Sequence, residues 1–233
     1  MRDYIFHVLF AWYPYVCLTV FAVGSLIRFD REPYSWRAGS SQMLSKRQLA
    51  WGSNLFHLGI IALFFGHAVG LLTPTAIYTR FITVEQKQLI AVVAGGIFGA
   101  VCFIGLTMLL ARRLFNARVR ATSTAMDRAI LIILWVQLCL GLATLPFSLH
   151  HSDGSSMIIL AHWAQGILTL QPVHTESMQA LDWPYLVHLV LGMTIFLLFP
   201  FSRLVHVWSA PVWYLGRPGY QVVRTSAQGP QGL

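Results

Sequence analysis

The chain has 233 residues, of which 56% are hydrophobic and only 10% charged, and its mean hydropathy is +0.63. Soluble domains carry about 25% charged residues, so this composition excludes an ordinary soluble globule and points to a polytopic membrane protein. The formal charge of +8 and a pI near 9.9 do not indicate nucleic acid; that reading needs a basic face on a soluble fold, whereas the bases here sit in short loops between apolar runs.

Five apolar runs are long enough to cross about 30 Å of hydrocarbon as helices: Tyr4–Ile27, Leu49–Leu72, Gln88–Leu110, Ala129–Phe147 and Tyr185–Val207. They predict an all-α integral membrane protein, a single five-helix domain over residues 1–233. The first run lacks a basic n-region and an A-x-A-like end, which reads as a retained span and not a cleaved signal. Arg203 lies near the end of the fifth run, where a long side chain snorkels to the interface. Cys17, Cys102 and Cys139 each lie within an apolar run and read as small buried hydrophobes.

Lys and Arg set the orientation. Thirteen of the sixteen fall between spans one and two, between spans three and four, or at the C-terminal side; only Arg2, Arg80 and Lys87 fall on the other side. The positive-inside rule then puts the N-terminus outside, in the periplasm, and the C-terminus in the cytoplasm. The connection from Leu149 to Trp183 has no Lys or Arg, as a translocated loop should, and Met157–Leu170 within it predicts a short helix lying at the outer interface. The inner loop Arg28–Arg47 reads either as a docking surface for a cytoplasmic partner or as an interfacial anchor. Thr225–Leu233, rich in Gly and Gln, reads as a disordered tail.

The chemistry lies in the histidines. An imidazole at bilayer depth loses its water partners and needs a replacement, so an intramembrane histidine is a functional hypothesis from the outset. Of nine histidines, His7, His150, His151, His162 and His174 belong to the outer side and read as solvated or interfacial. The other four fall two and two on spans two and five: His57 and His67, His188 and His206. The spans are antiparallel, which offers an outer pair, His67 with His188, and an inner pair, His57 with His206. Two bis-histidine haems stacked across a bilayer need this arrangement, each iron taking one axial imidazole from either side.

The spacings are unequal. Ten residues separate His57 from His67, a rise of about 15 Å, and eighteen separate His188 from His206, about 27 Å and five whole turns. The pairs are level only if a helix tilts or bends, and Pro200 lies where it would supply a kink. Gly66 and Gly70 beside His67 leave room for a flat macrocycle or for a closely packed helix; Gly95 and Gly99 read as helix packing. Zinc or copper suits the pattern less well, because clustered carboxylates and thiolates are absent and a metal site gathers its ligands at one depth.

Six stretches carry a family likeness: SSQML at 40–44, SNLFHLGI at 53–60, GHAVGLLTP at 66–74, RRLFNARVRAT at 112–122, DGS at 153–155 and HLVLGMTIFLLFPFSRLVHVWSAPVWYL at 188–215. With these the chain resembles the gamma subunit of the respiratory membrane-bound nitrate reductases, a five-span dihaem cytochrome b. The resemblance implies two haem b groups, the outer on His67 and His188 and the inner on His57 and His206. It also implies that quinol, menaquinol or ubiquinol, is oxidised beside the outer haem with Lys87 and His67 close to the quinone oxygen. Taken alone, Lys87 reads as an interface anchor. Arg112 and Arg113 are candidate counter-charges for inner-haem propionates, although topology alone also accounts for them.

On this resemblance electrons pass inward to an iron–sulfur beta subunit and a molybdenum-containing alpha subunit on the cytoplasmic face of a bacterial inner membrane. The protons are released outside. The chain itself carries no iron–sulfur cysteine cluster and no nucleotide or molybdenum motif, so nitrate reduction falls to partners. Two other readings compete. One is a dihaem subunit serving a sulfur-compound or heterodisulfide oxidoreductase; the other is a haem-free transporter or anchor that uses the histidines as a proton relay.

Overall fold

A computed structural model describes residues 1–36, 46–151 and 153–209. The motif at 40–44, the end of the block at 210–215, the residues Arg37, Arg217 and Arg224, and the tail Thr225–Leu233 lie outside the described residues. Among the described residues the structure is helical, with five helices long and apolar enough to cross a membrane. These are α1 (Arg2–Arg31), α2 (Lys46–Leu72), α3 (Val84–Phe115), α4 (Ala125–His150) and α6 (Trp183–Leu198). Between the last two lies α5 (Ser155–Leu168), which at 14 residues, about 21 Å, is too short to span.

Local chemistry fixes the ends. Thr83 and Thr124 open α3 and α4 with capping boxes closed by Gln86 and Asp127. The DGS stretch starts α5: Asp153 accepts from the Ser155 N–H and hydroxyl, which holds its carboxyl below the usual range, and Gly154 adopts φ +79° against the Val84 side chain. That helix closes in a Schellman turn, Gln171 N–H donating to the Gly166 carbonyl, with Leu170 at φ 57° where glycine is usual and Pro172 following.

The spanning helices pack in the order α2, α3, α4, α6, α1, each against the next. The α2–α3 seam is close enough to require glycine. A Cβ on Gly59 would lie 2.6 Å from the Cys102 backbone nitrogen, and one on Gly105 would meet the backbone of α2 at Gly52, Leu55 and Phe56. Gly99 plays the same part between α3 and α4, against Leu142 at 2.7 Å. Gly66 and Gly70 serve no such seam, since nothing lies within 4 Å of where their Cβ atoms would stand.

The short helix α5 ties the two ends of this row together. Pro14 has no N–H to give the Phe10 carbonyl, and the π-helical turn Val8–Trp12 lies just before it. The Trp163 indole of α5 donates to that carbonyl at 2.8 Å. Gln165, two residues on, donates to the Leu71 carbonyl at the end of α2, also at 2.8 Å. Around these bonds Phe10, Trp163, Ile167, Met178, Leu181 and Tyr185 form the buried core at this end of the bundle. By contrast, Leu58, Ile61, Phe65 and Val69 of α2 are exposed, as side chains facing lipid should be.

The fifth span differs from expectation. Its α-helix stops at Leu198, and two 3₁₀ segments, Phe199–Phe201 and Arg203–Ser209, follow around an extended Ser202 (φ −114°, ψ 177°). The cause is Pro200, which lacks an N–H and cannot continue the α-helical ladder. His188 and His206 therefore do not lie on one continuous helix, and the five-turn argument for equal facing does not apply to them.

Candidate functional site

Each of the four histidines His57, His67, His188 and His206 turns its Nδ1 to a backbone carbonyl. His57 meets the Ser53 carbonyl at 2.7 Å, His67 the Leu63 carbonyl at 2.7 Å, His188 the Gln137 carbonyl at 3.1 Å and His206 the Arg203 carbonyl at 2.5 Å. A carbonyl oxygen only accepts, so Nδ1 carries a proton in all four rings, and in a neutral ring Nε2 then keeps its lone pair. This is the tautomer of a metal-ligating imidazole oriented by its other nitrogen. His57 and His67 are exposed in the chain, on a helix long and apolar enough to cross a membrane. Neither has a protein acceptor or donor assigned to Nε2 among the described residues.

His67 and His188 face each other with ring centroids 6.2 Å apart and planes 36° from parallel. An imidazole nitrogen lies about 2.0–2.1 Å from a bound metal, and adding the ring radius on each side puts two imidazoles on one ion about 6 Å apart, centre to centre. The helices that carry them do not pack along each other, so only the rings close the distance. Gly141 of α4 makes room for the second ring: a Cβ there would stand 2.9 Å from His188 Cε1. The Gln137 amide donates to the His188 backbone carbonyl at 3.0 Å and makes a longer contact, 3.4 Å, with His188 Nε2. The geometry fits a bis-histidine haem between α2 and α6, with the open space at Gly66 and Gly70 beside it.

At the other end the structure does not bring the His57 and His206 rings into contact among the described residues. His206 rides on the 3₁₀ segment after the break, which is pinned by two arginines. Arg28 donates to the carbonyls of Pro200 and Ser202 at 2.6 and 2.8 Å. Arg203 binds Asp127 through two bonds of 2.6 and 2.5 Å. Arg113 stands 3.6 Å from the same carboxylate and donates to Ser123, and Arg112 is buried beside it in the last turns of α3.

Lys87 lies in the first turn of α3, at the His67 end. It is only 8% exposed, its Nζ sits 3.7 Å from the centre of the Tyr78 ring, and it has no hydrogen-bond partner among the described residues. An interface anchor would extend into the headgroups; this side chain is folded inward, its charge held only by an aromatic face. Beside it Gln88 donates to the Ser148 and His151 carbonyls and caps α4. The remaining histidines, His7, His150, His151, His162 and His174, are exposed at this same end.

Several contributors went unnoticed in the sequence: Gln137, Gly141, Arg28 and Asp127. Gln137 carried a signal, as the only amide within the charge-free run 129–147. Gly141 and Arg28 did not, since their roles depend on which helix lies opposite.

Comparison with known proteins bears on the same architecture. The family model of the nitrate reductase gamma subunit matches residues 6–226. The chain is 54% identical over 213 residues to the respiratory nitrate reductase 2 gamma chain of Escherichia coli (strain K12), covering 91% of this chain and 94% of that one. It is 50% identical to the respiratory nitrate reductase 1 gamma chain of the same organism, with the same coverage, and 34% identical to the nitrate reductase gamma chain of Bacillus subtilis (strain 168), again over 91% and 94%. Five apolar helices, a facing His67–His188 pair and a match along nearly the whole length agree: the chain belongs to the nitrate reductase gamma subunit family.

Proposed function

We propose that the chain is the quinol-oxidising, electron-carrying membrane subunit of a respiratory nitrate reductase, with the His67 end facing outward and the His57 end facing the cytoplasm. The observation that carries the reading is the common state of four histidines, each with Nδ1–H committed to a carbonyl, two of them with rings 6.2 Å apart. The thirteen-to-three split of Lys and Arg supports the orientation. His67 and His188 would hold an outer haem b, and His57 and His206 an inner one. Haem iron bound in this way takes up and passes on one electron at a time.

The chain's own residues supply the rest. The ammonium of Lys87, buried and without a hydrogen-bond acceptor among the described residues, is suited to donate to a quinol oxygen and fix the ring's orientation. Oxidation at the outer end releases the quinol's two protons outside, while the electrons leave at the cytoplasmic end. Each charge so separated is worth about 2.3 kcal/mol per 100 mV. With its three cysteines free and two of them buried, the chain is read as handing electrons to a cytoplasmic iron–sulfur subunit, with nitrate reduced on a molybdenum subunit beyond it.

The test is a dithionite-reduced minus oxidised spectrum of membranes containing the unaltered chain, His67→Ala or His57→Ala. The expected result is b-type bands that each substitution reduces in part, with quinol reducing the haem of the unaltered chain. Folded, inserted protein without haem bands would overturn the reading in favour of a proton relay.

A further inference from the structure

We infer that Asp127 and Arg28 are positioning residues for the inner-haem ligand His206, acting from two different helices on the broken end of α6. The inference rests on the reading that His206 is a ligand, and it follows from what holds that residue in place. A continuous α6 would carry His206 on its own ladder of hydrogen bonds. Pro200 ends that ladder, and a 3₁₀ segment of seven residues has poor bond geometry and little rigidity of its own. Its placement is therefore imposed from outside.

Two clamps impose it. From α1, the Arg28 guanidinium donates to the Pro200 carbonyl at 2.6 Å and the Ser202 carbonyl at 2.8 Å, and its remaining donors reach the Ser35 hydroxyl and carbonyl at 3.1 and 3.2 Å. Gly24, one turn earlier, lets α1 approach; a Cβ there would stand 2.8 Å from Pro200 Cγ. From the first turn of α4, Asp127 grips Arg203 in the two-pronged geometry that fixes direction as well as distance. Asp127 is itself held by the Thr124 N–H at 3.0 Å and flanked by Arg113, and its side chain is 9% exposed.

The last link is direct. The backbone carbonyl of Arg203 accepts from His206 Nδ1 at 2.5 Å. The ring's orientation thus depends on where Arg203 sits, and Asp127 sets that. Ser202, 2% exposed, takes the Leu204 N–H on its hydroxyl and stiffens the turn between the clamps. A ligand group loses metal affinity about ten- to a hundredfold when its orienting partner is removed, and the same scale applies here.

The experiment uses the assembled complex in membranes, with both haems followed by optical redox titration and by low-spin electron paramagnetic resonance, which reports the angle between ligand planes. Asp127→Asn, Arg28→Gln and Arg203→Lys are compared with His206→Ala, and Asp127→Glu is the conservative rescue. The expected result is that Asp127→Asn and Arg28→Gln shift the potential and line shape of the haem signal that His206→Ala abolishes, or weaken its haem retention about ten- to a hundredfold. The other signal stays unchanged, and Asp127→Glu recovers part of the loss. If His206→Ala removes neither signal, the ligand reading itself falls and takes this one with it. If His206→Ala removes one signal and the clamp variants leave that signal's shape, potential and retention unchanged, the ligand reading stands and the positioning role is refuted. Loss of both signals in step with loss of inserted chain, in the clamp variants and in Asp127→Glu alike, would make these residues merely structural and would overturn the proposal as well.

Discussion

Replacing Gly105 with alanine tests whether the seam between α2 and α3 holds the histidine-bearing face of α2 in place. The new Cβ would stand 2.8 Å from the Gly52 carbonyl oxygen and 2.8 Å from the Leu55 carbonyl carbon, and closer still to the Phe56 nitrogen. Ordinary contact begins at 3.4 Å, so α2 must retreat by 0.6 Å to clear the two carbonyl atoms and by more than that to clear the Phe56 nitrogen. All three obstacles are backbone, and no side chain can rotate away to absorb the shift. Overpacking of this kind costs about 1–3 kcal/mol, and the rigid surroundings place Gly105→Ala toward the upper end. That corresponds to roughly a 5- to 150-fold change in the unfolding equilibrium.

The assay is detergent or thermal unfolding of the purified complex, followed by helix content and haem absorbance together. Gly95→Ala is the internal reference, because its Cβ would meet only Leu145 Cδ2, at an ordinary 3.9 Å. Helix content should be lost earlier in Gly105→Ala and unchanged in Gly95→Ala. A Gly105→Ala midpoint equal to that of the unaltered protein, or to that of Gly95→Ala, would refute the seam argument.

Three further outcomes are expected. Gly141→Ala should displace the His188 ring, which lies 2.9 Å from the new methyl, and so alter the outer-haem signal while the inner one keeps its shape; unaltered spectra would show that the ring does not depend on this approach. Trp163→Phe leaves the Phe10 carbonyl without its indole donor, at a cost of about 1–3 kcal/mol, visible as a lowered unfolding midpoint; no shift would mean the bond contributes nothing. Lys87→Met should leave both haem bands intact and lower kcat/KM for quinol roughly ten- to a hundredfold, the scale of one charge-assisted hydrogen bond of about 1.5–3 kcal/mol; an undiminished rate would remove Lys87 from the quinol site.

The spanning helices were readable from hydropathy because the bilayer demands one thing of them, about 20 apolar residues in a row. Four of the five expected runs fall wholly on helices and the fifth does so as far as Leu198; α3 and α4 extend beyond their runs at both ends, since polar caps such as Thr83 and Thr124 lie outside the hydrophobic count. The short helix between the fourth and fifth spans was readable from its apolar composition. The end of the fifth span was not. Apolar residues recur past Phe201 to Val207 around Arg203 and His206, and only the missing N–H of Pro200, together with what lies opposite it, decides between a kinked helix and a broken one. The site divides in the same way. The histidines stand out as imidazoles in an apolar setting, whereas Gly141 and Arg28 acquire their roles only from a neighbour remote in sequence.

Those distant neighbours share a physical pattern. In hydrocarbon a backbone carbonyl without a partner costs several kcal/mol, so an interrupted helix persists only where another element supplies a donor. Pro14 interrupts α1, and the Trp163 indole reaches the Phe10 carbonyl; α2 ends before Pro74, and the Gln165 amide takes the Leu71 carbonyl; Pro200 ends α6, and Arg28 takes the carbonyls at 200 and 202. The end of α4 is closed in the same manner by Gln88. Each of these donors joins elements that the order α2, α3, α4, α6, α1 would otherwise leave to packing alone. Helix breaks in this protein are thus its cross-links, and two of the three that involve proline lie next to a histidine-bearing turn: Leu71 is one turn past His67, and Pro200 is six residues before His206. The same interruptions that hydropathy cannot see are what fix the chain beside His67 and His206.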